Sequence, residues 1–98
     1  MFTVQQTEPF AQWLAELRDP RTKARIVARV QMAKLGHLGD VRPVGDSILE
    51  MRVDVGPGYR LYFKRRRELI ILLLCGGDKS TQDRDIKRAK AMARDLEE

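Results

Sequence analysis

The stretch Ile48-Leu-Glu-Met-Arg-Val-Asp-Val-Gly-Pro-Gly-Tyr-Arg-Leu-Tyr-Phe63 decides the fold, because it reads as two strands joined by a glycine-rich return. Side chains alternate across a strand, so Leu49, Met51 and Val53 share one face while Glu50 and Arg52 share the other. On the second strand Tyr59, Leu61 and Phe63 are the apolar set, with Arg60 and Tyr62 opposite. The apolar faces coincide only if Val53 pairs with Tyr59, which leaves Asp54 to Gly58 as the loop. Arg52 then lies across from Arg60. Directly opposed like charges cost a few tenths to ~1 kcal/mol, which points to an anion such as phosphate between them. The alternative is a solvated sheet face in which Glu50 bridges to one arginine.

Working outward, Lys64-Arg-Arg-Arg-Glu68 reads as a charged turn. Leu69 to Leu74 is apolar on both faces, as in a strand covered on both sides, and Gly76-Gly77 ends it. Ser80 or Thr81 caps a final helix from about Gln82 to Glu97, with Asp83 and Asp85 near its positive end and a thin stripe of Ile86, Ala89, Ala93 and Leu96. On the other side, residues 36–46 have the glycine and proline density of a surface connection, with one extended piece at Val41 to Val44. Before it, Asp19-Pro20 caps a basic helix that carries Arg21, Lys23, Arg25, Arg29 and Lys34, buries Ile26, Val27, Val30 and Ala33, and ends at Gly36. Thr7 caps an earlier helix striped by Phe10, Trp13, Leu14 and Leu17, and Phe2 to Gln6 form an opening strand. The order predicts an α+β domain: an antiparallel β-sheet, two N-terminal helices packed on it and a C-terminal helix, with helices mainly on one face.

The chain has 98 residues, enough for one domain spanning 1–98 with one core. Its single cysteine, Cys75, sits in an apolar run, which excludes an internal disulfide and fits a buried thiol in a reducing, cytoplasmic setting. No apolar run approaches a membrane span, and the start lacks a signal peptide pattern. Lysine and arginine outnumber acids 19 to 14, a net charge of +5 that favours nucleic acid or an acidic protein as partner.

Several chemistries are excluded. One histidine and one cysteine far apart give no metal-ligand spacing, so no metal or cofactor is expected. His37 lacks a nucleophile partner and reads as a capping or exposed residue just past a helix end. No phosphate-binding glycine loop of the Walker type is present. What remains is basic chemistry: Arg52, Arg60 and Lys79 converging at one end of the sheet, with Tyr62 on the arginine face and Gln82 opening the last helix. Such a set holds a phosphodiester and stabilises charge developing on it.

The runs Glu50-Met-Arg-Val, Gly56-Pro-Gly-Tyr-Arg-Leu-Tyr-Phe63 and Leu72-Leu-Leu-Cys-Gly-Gly-Asp-Lys-Ser-Thr-Gln82 followed by Asp85-Ile86 resemble the addiction-module killer proteins, a HigB-like branch of the RelE/ParE toxin superfamily. Trp13 to Leu17 and Gly39 to Gly45 fit the same branch, so the resemblance covers nearly the whole chain. It implies a RelE-like fold and a type II toxin that works as a ribosome-dependent mRNA endonuclease and inhibits translation. The implied partners are a helix-turn-helix antitoxin, through which a hetero-oligomer sits on operator DNA, and the ribosome with its mRNA. In such enzymes basic residues hold the scissile phosphate while the RNA 2′-hydroxyl attacks. Arg60 matches the superfamily's strand arginine, and Arg52 and Lys79 stand where other members carry basic site residues. Tyr62, Gln82, Arg29 and Lys64 are the further RNA contacts expected. One departure is plain: several active nucleases carry a Tyr or His near the C-terminus, and here none lies between Ser80 and Glu98. The alternative within the superfamily is ParE-like inhibition of DNA gyrase without cleavage.

Overall fold

A computed structural model describes residues 1–96 as β1 (Thr3–Gln6), α1 (Glu8–Glu16), α2 (Pro20–Lys34), β2 (Val41–Gly45), β3 (Ile48–Val53), β4 (Tyr59–Arg66), β5 (Ile70–Asp78), a 3-10 turn (Lys79–Thr81) and α3 (Gln82–Asp95). Glu97, the expected end of the last helix, lies outside the described residues. Among the described residues, no helix is long and apolar enough to cross a membrane.

The domain is α+β, with one five-stranded sheet in the order β1-β5-β4-β3-β2. The β3–β4 register follows the alternation of the sequence, Val53 facing Tyr59 and Arg52 facing Arg60. Two expectations are corrected. The sheet is mixed, because β1 joins its edge parallel to β5, Thr3 beside Ile70 and Gln6 beside Leu73. The helices are also split between the faces. Phe10 of α1 and Ile26 and Ala33 of α2 pack on Met51, Val53, Leu61, Phe63, Ile71 and Leu73, whereas Ala89 and Ala93 of α3 pack on Ile48, Tyr62, Leu72, Leu74 and Cys75 on the other side. β5 is therefore apolar on both sides because a layer covers each.

Local chemistry sets the helix ends. Thr7 Oγ1 accepts from the Phe10 amide and donates to the Leu74 carbonyl, so one hydroxyl caps α1 and ties it to β5. The Asp19 carboxylate accepts from the Arg21 amide ahead of Pro20. Beyond α2, Gly36 adopts a left-handed φ of 98°, its amide reaches Ala33 O and the His37 amide reaches Met32 O. That double bond pattern closes the helix and needs a residue without a Cβ. His37 is thus part of a helix end and exposed, as read from its position. Val27, expected inside, is 40% exposed, since the contact stripe of α2 runs through Ile26, Val30 and Ala33.

Three strand boundaries differ from expectation. The piece at Val41 to Val44 is a full edge strand. The arginines at 65 and 66 belong to β4, which pairs Arg65 with Ile71 and Arg66 with Ile70, so the turn begins only at Arg67. β5 continues through Gly76 and Gly77 to Asp78. Within that pairing Tyr62 faces Cys75 while Phe63 faces Leu73, so Leu74 is an extra residue. This bulge turns Leu74 and Cys75 to the same side and re-phases the rest of β5. Gly76 consequently faces Trp13 of α1, where an added Cβ would lie 2.5 Å from the indole ring. Gly77 faces α3, where a Cβ would run into the Asp85 carboxylate and Thr81 Oγ1.

Candidate functional site

On the α3 side of the sheet two cross-strand rows lie side by side. One runs Arg42, Glu50, Tyr62, Cys75 from β2 to β5, and the next runs Arg52, Arg60, Gly77 from β3 to β5. Glu50 is the centre. Its side chain is fully buried, and its two oxygens face Arg42 Nε at 3.2 Å, Arg52 Nε at 3.5 Å and Arg60 Nε at 3.6 Å. Tyr62 Oη donates to Oε2 at 3.1 Å and Gln82 Nε2 donates to the same oxygen at 2.8 Å. The repulsion expected between Arg52 and Arg60 is therefore met from inside the protein by one carboxylate shared among three guanidinium groups. The cluster still carries excess positive charge.

Burial by itself raises the Glu50 pKa, but hydrogen bonds from Gln82 and Tyr62 and the charges of Arg60 and Arg42 outweigh it and hold the carboxyl below its ordinary value. Tyr62 is pushed the other way, its phenol held neutral by burial and by the Glu50 charge and hydrogen bond. Arg42 Nε makes a hydrogen bond to the carboxylate, whereas Arg52 Nε and Arg60 Nε are buried without one. Both Nε atoms nevertheless lie within ion-pair distance of the carboxylate, which orients the two guanidinium groups toward it. Exposure grades across the trio, from 11% for the Arg60 side chain through 35% for Arg52 to 52% for Arg42. Arg60 works in the least screened surroundings, where a charge acts most strongly on a ligand.

The Gly76-Gly77-Asp78-Lys79-Ser80-Thr81-Gln82 motif is the hinge that brings α3 to this cluster. Asp78 caps the 3-10 turn, its Oδ1 accepting from the Ser80 amide at 2.8 Å and from the Ser80 hydroxyl. Thr81 stands at the N-cap of α3, one of the two positions expected, but its Oγ1 donates to the buried Asp85 carboxylate and makes no cap bond. Gln82 then points back to Glu50. Cys75 lies beneath, buried, its thiol donating to Asp85 O and raised to about 11 by burial and the neighbouring Asp85 charge. It is a small core residue.

Lys79 is exposed, and its amide donates to Gly58 O at 3.0 Å. Arg60 reaches toward that same glycine, for a Cβ on Gly58 would lie 3.8 Å from Arg60 Nη1. The structure thus brings Arg52, Arg60 and the Lys79 backbone to one end of the sheet, with Gln82 beside them. Three expected RNA contacts are placed otherwise. Tyr62 is buried under α3, with no face free to stack on a base. Arg29 lies on the opposite layer, where it donates to the Arg52 and Leu38 carbonyls and so braces β3 from behind. Lys64 is at the far end of β4, opposite Ile48 and Leu72. Arg42 was not singled out from the sequence, yet alternation in Val41 to Val44 already puts it on the Glu50 face once that piece is a strand.

No family model matches the chain. A protein of Haemophilus influenzae, described as an uncharacterized protein, is 47% identical over 93 residues, which cover 95% of this chain and 94% of the relative. Identity at that level over nearly the whole length of both chains is enough to establish common membership, and this chain belongs to the same family as the Haemophilus influenzae protein.

Proposed function

We propose that this chain is a type II toxin of the HigB-like branch of the RelE/ParE superfamily, with a RelE-like fold, acting in the cytoplasm as a ribosome-dependent endonuclease on mRNA. The observation that carries the reading is the cluster of Arg42, Arg52 and Arg60 gathered around one buried carboxylate, with Lys79 on the adjoining turn. A single phosphodiester is matched by such a set. Arg60, nearly buried, clamps a non-bridging oxygen, and Arg52 and Lys79 complete the anion's surroundings. As the RNA 2′-oxygen bonds to phosphorus and the P–O5′ bond breaks, releasing the 5′-hydroxyl and leaving a 2′,3′-cyclic phosphate, charge builds on the phosphorane against groups that are already oriented, and such preorganisation lowers the barrier. Glu50 is a positioning residue: its lone pairs are engaged by Tyr62, Gln82 and the guanidinium groups, so it orders the arginines rather than taking a proton. The partners on this reading are the helix-turn-helix antitoxin and the translating ribosome.

A specific observation favours a second reading, ParE-like inhibition of gyrase. Tyr62 is the tyrosine on the arginine face, and its burial and raised pKa leave it unsuited to proton transfer, while the last helix offers neither Tyr nor His. On the nuclease reading Lys79, an arginine or the ribosome moves the proton. Primer extension on cellular transcripts after induction separates the two. Discrete cuts within translated regions are expected; intact transcripts with gyrase-linked DNA breaks would replace the first reading with the second.

A further inference from the structure

We propose that the cleft between the C-terminal half of α3 and the β1 edge of the sheet is a docking site for an acidic, amphipathic segment of a partner protein. Two adjoining hollows of about 510 and 430 Å³ form it, and they share Arg66, Leu72 and Leu96. The cleft exists because α3 packs mainly across β5 and β4, with Ile48 of β3 beside them, and leaves the β1 edge uncovered. No residue of β1 enters the α3-side core, so Gln5 and Leu72 are left beside a gap. Alanines at 89 and 93 keep the sheet-facing stripe of α3 short.

The two halves of the cleft differ in charge. Lys64, Arg65, Arg66 and Arg67 line the first hollow, and among the described residues its walls include no acid. Its floor is apolar, formed by Ile70, Leu72, Ala93 and Leu96, and Met92 extends that floor into the second hollow. Leu96 is 43% exposed there. The far end of the second hollow carries Glu8 and Asp95. A matching segment places carboxylates over the arginines and apolar side chains over Leu72, Met92 and Leu96. Complementary charge fixes its direction, and burial of the apolar strip supplies affinity. RNA fits less well, because no aromatic side chain lines the cleft to stack a base and Glu8 and Asp95 repel phosphate at one end. Arg66 is six residues along β4 from Arg60, a separation of roughly 20 Å at the usual strand rise. The inference therefore stands whether or not the chain cuts RNA.

The test uses the isotope-labelled full chain and three probes: a synthetic amphipathic helix with leucines on one face and glutamates on the other, the same peptide with lysines for glutamates, and a single-stranded RNA. The glutamate peptide is expected to shift the amides of Arg66, Leu72, Met92 and Leu96. The paired changes Arg66→Glu and Arg67→Glu are expected to weaken it on the order of tenfold, the loss of one strong anchor, while Arg25→Glu on α2 leaves it unchanged. Shifts confined to the α1–α2 side, equal binding of the lysine peptide, or RNA occupying these same residues would each overturn the proposal.

Discussion

Glu50 has an unusual position for a carboxylate, buried within the antiparallel part of the mixed sheet and ringed by cations. Glu50→Gln keeps the shape and removes the charge. Breaking a buried pair typically costs ~3–5 kcal/mol, and because Arg42 and Arg52 are partly screened by water we expect about 2–3 kcal/mol here, read by urea unfolding at neutral pH. The same substitution tests linkage. The folded-state pKa of Glu50 lies below its unfolded value, so its contribution is complete above the ordinary carboxylate range near ~4.3 and is lost as pH falls through the depressed folded value. The stability gap between the native chain and Glu50→Gln is therefore expected to close in acid and to be flat from pH ~6 upward; a gap unchanged down to strong acid would contradict it. At the same scale, and on the proposed toxin reading, Arg60→Ala is expected to abolish growth arrest while the protein still folds, since Glu50 keeps Arg42, Arg52, Tyr62 and Gln82. Loss of one preorganised donor is worth on the order of 2–4 kcal/mol of transition-state stabilisation. Lys79→Ala is expected to behave likewise and Arg52→Ala to be intermediate. Arg65→Ala is expected to keep toxicity, because that side chain stacks over Phe2 and donates to Glu68 O instead of facing the cluster. A folded, fully toxic Arg60→Ala chain would make the arginine face mere solvated surface.

At the scale of the element, the β5–α3 connection is the most constrained part of the chain. Neither Gly76 nor Gly77 has a left-handed φ; each is required by what approaches it, Trp13 on one side and Asp85 with Thr81 on the other. Overpacking a tight contact costs typically ~1–3 kcal/mol, so Gly76→Ala and Gly77→Ala are both expected to lower the melting temperature. Their functional effects should part. Gly77→Ala pushes on the first turn of α3, which carries Gln82, and is expected to reduce toxicity more than its loss of stability explains. Gly76→Ala presses on α1, remote from Glu50, and is expected to reduce it no further than stability does. Equal toxicity in the two variants at matched folded fractions would show that α3 does not position the cluster.

At the scale of the whole molecule, the net charge of +5 is spread over both layers, with Arg21 and Arg25 exposed on α2 and the arginine cluster on the opposite face. On the proposed toxin reading, association with an acidic antitoxin is therefore expected to be steered by charge and to slow as salt rises, since exposed charges are screened within ~8–10 Å at physiological ionic strength. Stopped-flow on-rates measured from low to high salt provide the check, and a flat profile would exclude steering.

The sequence by itself determined what depends on a few neighbouring residues. Period-two alternation fixed the β3–β4 register and so the opposition of Arg52 and Arg60; Thr7, Asp19 and Gly36 fixed helix ends through their own hydrogen bonds and backbone freedom. Only the tertiary structure decided the parallel seat of β1, the extra residue at Leu74, the placement of α3 on the face away from α1 and α2, and hence the burial of Tyr62 and the role of Glu50 as the centre of the cluster. Arg29, an expected RNA contact when read along the chain, became a brace for β3 for the same reason. Each of these rests on contacts between residues distant in sequence, whose worth is set by which surfaces close over them, and a local pattern of side chains carries no record of that.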